Sequence, residues 1–246
     1  DRPHISEKVT NDHLYNESIM STADEIGVVE GVADAVAISS LGIPVVSPVT
    51  ISFNAVDQER FLRKCHEYGI GRVWILFDNE LSGSGNWAAR RVGVQLVEGG
   101  LSVKILTVPL GDAQKVARDE VVAALGAELF GELERSDPRE RKEIVARAIP
   151  DDDRRAWVQR NIDASKIDAA EWCALAGAGA IEKFEEIRRA GQDVVDLEIE
   201  ECAQALNPDG EPSVRAGVFV PVIGLAAHIE DRLAREDYAG RIAKAA

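Results

Sequence analysis

Apolar residues in the first half of the chain fall into short, nearly continuous runs separated by amphipathic stretches. Ile26 to Val29, Pro44 to Val46, Val73 to Phe77 and Val103 to Val108 are such runs. They are rich in β-branched residues and lack the strict alternation of a half-solvated strand, so they read as strands buried on both faces. Between them, Asp34 to Leu41, Asp57 to Tyr68 and Asn86 to Glu98 carry helical spacing. The second sets Val56, Phe61, Leu62 and Cys65 on one side, and the third turns Ala88, Ala89, Val92, Leu96 and Val97 inward. Gly42 and Gly69 stand where the first two must stop. Strands alternating with helices over residues 25–111 predict crossover units and an α/β fold, a mainly parallel sheet flanked by helices.

Past Gly111 the strand signal fades. Residues 112–246 read as a mostly helical C-terminal region with a charged insertion over about 112–163. The densest charge, Glu132 to Arg155, reads as a solvated face or exposed hairpin. Residues 1–24 form a polar approach segment with a short helix near Leu14 to Ser21. Trp74, Trp157 and Trp172 are expected in the core, and Trp87 beneath its helix, with stacking on a base as the alternative.

Composition narrows the function. Of 246 residues, 46% are hydrophobic and 29% charged, as in ordinary globular proteins. No apolar stretch is long enough to span a membrane, and no basic-then-apolar leader precedes the first strand. Cys65, Cys173 and Cys202 are widely spaced with no CxxC pair, which excludes a zinc ribbon or disulfide framework and fits a reducing, cytoplasmic setting. The first residue is Asp1 rather than Met, pointing to a segment of a longer polypeptide. Forty-three acidic against 28 basic residues give a net charge of −15, opposite to the bias of a protein that grips duplex DNA by neutralising phosphates. Carboxylates holding divalent cations are another route to nucleic acid, because the metal brings the positive charge.

Acidic residues stand where the two most apolar runs stop. Glu30 follows Val29 with Asp34 one helical turn later, and Asp78 and Glu80 follow Phe77. In a parallel sheet the carboxyl ends of strands share one edge. If the two strands are neighbours, four carboxylates converge there, and their repulsion is relieved by hard cations such as Mg²⁺ or Mn²⁺. Taken singly, Asp34 and Asp78 are also plausible helix caps.

The stretch Val28 to Asp34 (VVEGVAD) and the later Phe77 to Glu80 (FDNE) resemble the glutamate and Asp-x-Asp motifs of the TOPRIM family, most closely the catalytic core of DnaG-type primases. Asp78 to Gly83 (DNELSG) leading into Asn86 to Arg91 (NWAARR), and Val45 to Thr50 (VVSPVT), are similar to the stretches flanking those motifs in primases. Lys166 to Asp168 (KID), before a helical run, is similar to the primase segment that carries a further metal-site aspartate; Asp168 is also a plausible helix N-cap. The chain departs from the pattern in Glu80, where an aspartate is usual, in Val49 before Thr50, in a Ser-Gly-Ser-Gly loop, and in about fifty extra residues before Lys166.

The resemblance implies a Rossmann-like TOPRIM domain and primer synthesis, the attack of a ribonucleotide 3′-hydroxyl on the α-phosphorus of a ribonucleoside triphosphate. It implies two or more Mg²⁺ or Mn²⁺ ions on Glu30, Asp34, Asp78, Glu80 and Asp168, with Glu30, Asp78 and Glu80 in catalysis and Glu30 as general acid/base. Arg90, Arg91, Lys104 and Arg63 are weak candidates for phosphate contact, since such residues are more often plain surface charges. Gly83 to Gly85 lacks the lysine of a P-loop. The expected partners are single-stranded DNA, ribonucleoside triphosphates and a replicative helicase, with no membrane. Two alternatives stay open, a TOPRIM nuclease using the same metals and a non-catalytic scaffold that binds a replisome protein.

Overall fold

The computed structural model describes residues 13–48, 53–81, 84–207 and 211–246. Val49, Thr50, Ser82 and Gly83, which carry part of the resemblance, lie outside the described residues. A short 3-10 helix, Glu17–Thr22, seals one end of the core with the fully buried Met20. Then follow β1 (Glu25–Val29), α1 (Val32–Ser39), β2 (Val45–Val46), α2 (Ala55–Tyr68), β3 (Arg72–Leu76), α3 (Ser84–Glu98) and β4 (Ser102–Ile105). These four strands pair in parallel in the order β2-β1-β3-β4. The α/β alternation read from the sequence is therefore the observed topology.

Helix boundaries follow local chemistry. The Asn54 side chain accepts hydrogen bonds from the N–H groups of Val56 and Asp57 at the start of α2. Gly69, at φ +69°, ends that helix in the left-handed conformation glycine adopts without steric cost. Side-chain alternation along the strands then builds two cores. Ile26, Val28, Val73, Ile75 and Val103 face α2 and α3, whereas Val29, Trp74 and Leu76 face α1. The Trp74 indole lies flat across Gly27, where an added Cβ would come within 2.0 Å of the ring. Val56, expected inward, is exposed at the first turn of α2.

The helical half consists of α4 (Asp112–Leu125), α5 (Ala127–Arg135), α6 (Pro138–Ala148), α7 (Asp152–Ala164), α8 (Ala169–Ala176) and α9 (Ala180–Ala190). A two-residue strand, β5 (Gln192–Asp193), pairs antiparallel with β4 and completes the sheet. After it come α10 (Val194–Ala205), α11 (Pro212–Val218), α12 (Val220–Ala227) and α13 (Arg232–Ala245). Helices α8 and α9 cover the Trp74 face of the sheet, and α10, α12 and α13 complete the opposite face.

Of the two readings of the charged stretch, a solvated face is what forms, and it is not a free hairpin. Helices α4 to α7 enclose a third core of Val121, Phe130, Leu133, Ile144, Val145, Val158 and Ile162, with the charges on its outer face and Trp157 only half-buried at its margin. Nor is α10 preceded by pure helix, because β5 extends the sheet. Among the described residues, no helix is long and apolar enough to cross a membrane.

Candidate active site at the carboxyl edge of the sheet

Helices α1 and α2 pack on opposite faces of the sheet, and the chain leaves β1 in one direction and returns on its other side as β3. The crevice at such a switch point, outside the carboxyl ends of the strands, is where open α/β sheets place ligands. β1 and β3 are in register, with Val29 opposite Leu76. Glu30 and Asp78, nearly fifty residues apart in sequence, consequently meet at that edge, which the sequence motifs required.

The Asp78 carboxyl and the Asp78 backbone N–H both stand within hydrogen-bonding reach of the Glu30 carboxyl. Burial, and then the Asp78 charge, raise the Glu30 carboxyl from an ordinary 4.5 to about 7. Its Oε2 atom is buried without a hydrogen-bond partner. Asp78 is itself buried, and its Oδ2 atom lies 2.5 Å from the Lys166 ammonium.

Lys166 arrives by a route no local pattern marks. After Asp78 the backbone of Asn79 pairs antiparallel with Ile167, N–H to carbonyl in both directions at 3.0 and 2.9 Å. The Asn79 side chain donates to the Val108 carbonyl at 2.8 Å, tying the same loop to the stretch that follows β4. The hydrogen bond to Asp78, with the nearby charges of Asp78, Glu80 and Glu30, holds the Lys166 ammonium above its ordinary pKa. Sequence reasoning passed over this residue, although it sits in the KID segment singled out for Asp168.

The other predicted carboxylates stand close by in different roles. Asp34 accepts from the Gly31 N–H through Oδ2 at 3.1 Å and from the Ala170 N–H through Oδ1 at 3.0 Å. It thereby joins the start of α1 to the start of α8. Burial pushes its pKa up, opposed by the Ala170 hydrogen bond. Asp168 caps α8, its Oδ1 accepting from the Glu171 N–H at 2.7 Å. Glu80 accepts from the Gly85 N–H at 3.1 Å in the first turn of α3. The four carboxylates expected to converge, together with Asp168, are thus resolved into a touching pair, Glu30 and Asp78, and three acids bonded to backbone N–H groups. Among the described residues, no three Asp, Glu, His or Cys side chains are grouped to hold a metal ion.

The pair still fits a hard divalent cation. Mg²⁺ is commonly held by one or two carboxylates and completed by water and substrate phosphate, and the orphaned Glu30 Oε2 beside Asp78 offers such donors.

The four basic candidates are placed differently. Arg90 is paired with Glu198 at 2.5 Å and with Glu201, both on α10. The Arg91 guanidinium lies over the Trp87 ring, 4.7 Å from its centroid. Trp87 is 44% exposed rather than packed beneath its helix, because the α3 face it occupies points to a groove and not to the sheet. Lys104 is exposed on β4, level with Trp74 and Gly27 and so short of the carboxyl edge. Arg63 is exposed on α2.

The insertion reaches this edge too. Leu81, directly after the acidic loop, plugs the core of α4 to α7. Arg141 on α6 donates to the carbonyls of Leu81, Ser136 and Glu134. The helical insertion is therefore clamped to the loop that carries Asp78 and Glu80.

No protein-family model matches the sequence, and no curated protein does. Solved structures do. A DnaG primase catalytic domain bound to single-stranded DNA superposes with a TM-score of 0.51 at 14% identity, over 90% of this chain and 52% of that one. The RNA polymerase domain of Mycobacterium tuberculosis DnaG, in complex with a double-stranded DNA oligomer with a 6-nucleotide overhang, matches at 0.47 and 13% identity, over 94% and 54%. An Aquifex aeolicus primase comprising zinc-binding and RNA polymerase domains matches at 0.46 and 13%, over 94% and 39%. The chain spans about half or less of the length of these structures. Its mostly parallel sheet, flanking helices and helical C-terminal region are the fold of a DnaG-type primase core.

Proposed function

We propose that this chain is the catalytic core segment of a DnaG-like primase, which makes RNA primers on single-stranded DNA by metal-dependent nucleotidyl transfer. The observation that carries the reading is the contact between Glu30 and Asp78 at the β1/β3 switch point, with one Glu30 oxygen left over. The shared fold adds to it. Glu30 and Asp78 would hold Mg²⁺ or Mn²⁺, with Asp34, Glu80 and Asp168 organising the surrounding backbone. When bound, the metal supplies acidification of the attacking hydroxyl and countercharge for the triphosphate. Without metal, burial and Asp78 raise Glu30 to about 7, so a Glu30 carboxyl not engaged by the ion would be suited to accept or return a proton near neutral pH. The net charge of −15 makes the metal, rather than a basic surface of this segment, the means of holding phosphate. Ribonucleoside triphosphates, a helicase and a cytoplasmic location belong to the same proposal.

The test is primer synthesis from labelled ribonucleotides on single-stranded DNA, with the full-length parent protein and Mg²⁺ or Mn²⁺. Glu30→Gln and Asp78→Asn should each abolish product, and unchanged product in either would remove that residue from catalysis. Strand degradation in place of primers would indicate the nuclease chemistry of the same site. One observation favours a second, non-catalytic reading. Lys166 already neutralises Asp78, as a scaffold without metal would require.

A further inference from the structure

Lys166 is anchored at its backbone and loose at its tip. Ser165 and Ile167 on either side are fully buried, the Ser165 hydroxyl donates to the Ile162 carbonyl at 2.6 Å, and Ile167 is paired with Asn79. The Lys166 side chain is nonetheless 45% exposed, while the Asp78 side chain it grips is only 9% exposed. A flexible four-carbon stem on a fixed base can place its ammonium on Asp78 or withdraw it into solvent.

A single positive charge among Glu30, Asp78 and Glu80 does part of what a divalent ion would do there. It also occupies Asp78 Oδ2. A cation that binds Asp78 through that oxygen must therefore displace the ammonium, and one that binds through Glu30 Oε2 alone meets its repulsion. Asp34 accepts backbone N–H groups with both oxygens and Asp168 with Oδ1, which ties both carboxylates to the start of a helix.

We infer that Lys166 is a resident countercharge that competes with divalent metal at Asp78, and so sets the metal affinity of the site. The inference rests on the metal-binding reading of Glu30 and Asp78. Nothing in the family resemblance assigns this lysine a role; its position on Asp78 does.

The test is calorimetric titration of the 246-residue chain with Mn²⁺ alone, without nucleotide or DNA. Lys166→Met should tighten binding about tenfold or more, as expected from removing a like charge beside the ion. Lys166→Arg, which keeps the charge, should stay close to wild type. Asp78→Asn added to Lys166→Met should erase the gain. The near-isosteric Lys166→Gln serves if the Met variant fails to fold, with circular dichroism confirming structure. Equal Mn²⁺ affinity in wild type and Lys166→Met overturns the competition while leaving the metal site standing; a lower melting temperature alone would then mark Lys166 as a structural strap. Absence of binding in every variant overturns both readings. Binding only after Lys166 is removed supports the competition and counts against catalysis by the wild-type chain.

Discussion

Replacing Asp34 by asparagine separates two roles that the sequence could not distinguish, metal ligand and backbone strap. The carboxylate is buried and accepts two N–H groups from segments far apart in the chain, Gly31 ahead of α1 and Ala170 in the first turn of α8. Asparagine keeps one oxygen but turns an NH₂ group toward the other N–H, so one charge-assisted hydrogen bond is lost and two donors face each other. A hydrogen bond to a charged acceptor contributes about 1.5–3 kcal/mol, and the stranded buried donor keeps the loss near the top of that range. We expect Asp34→Asn to lower unfolding free energy by about 2–3 kcal/mol in urea with an unchanged m-value. In a chain of this size that is a fall in melting temperature of about 4–12 °C. Since α8 follows Lys166 and Asp168, hydrogen exchange should quicken first at the start of α8. The reasoning is refuted if Asp34→Asn unfolds at the wild-type midpoint while Mn²⁺ affinity drops tenfold, because Asp34 would then act on the metal and not on the fold.

Three further outcomes follow from the same geometry. Glu30 holds its proton to about pH 7 in the folded chain and only to about 4.5 when unfolded, so the folded state binds more protons between those values and metal-free stability must fall as pH rises through them. The full shift corresponds to about 3 kcal/mol, reduced to about 1–2 kcal/mol for a carboxyl only half shielded from water; denaturation at pH 5 and pH 8 should show that slope in wild type and a flatter one in Glu30→Gln. Gly85→Ala would set a Cβ 2.3 Å from the Asp78 carbonyl oxygen, backbone that cannot swing aside, so α3 must shift and the Gly85–Glu80 hydrogen bond should break. A primer-synthesis rate within twofold of wild type for this variant would show that the start of α3 has no bearing on the site. Arg141→Met removes three donations to backbone carbonyls, at a cost of about 2–4 kcal/mol; amide exchange should rise across α5 and α6 and at Leu81 while β1 and β3 stay protected, and uniform protection would refute the clamp.

Much of this architecture is legible from the chain alone. Strands such as Ile26 to Val29 and Val73 to Leu76 are buried on both faces, and only continuous apolar sequence can satisfy that environment. Acids placed directly after two such strands in a parallel sheet can only lie at one edge, which made Glu30 and Asp78 readable as a pair. Tertiary structure decided the rest, because the signals are not periodic or local. Strand β5 is two residues long and exists through its partner β4. The insertion's core hides among charges, its apolar residues spread over four helices that gather into one cluster with Leu81. Carboxylates of identical type became a touching pair, a strap and two helix caps according to which backbone N–H groups stood within 3 Å or so. Lys166 reached Asp78 across the intervening helices through a single antiparallel bridge. A charge's partner depends on where the chain returns in space, and Coulomb forces act through that distance rather than along the sequence.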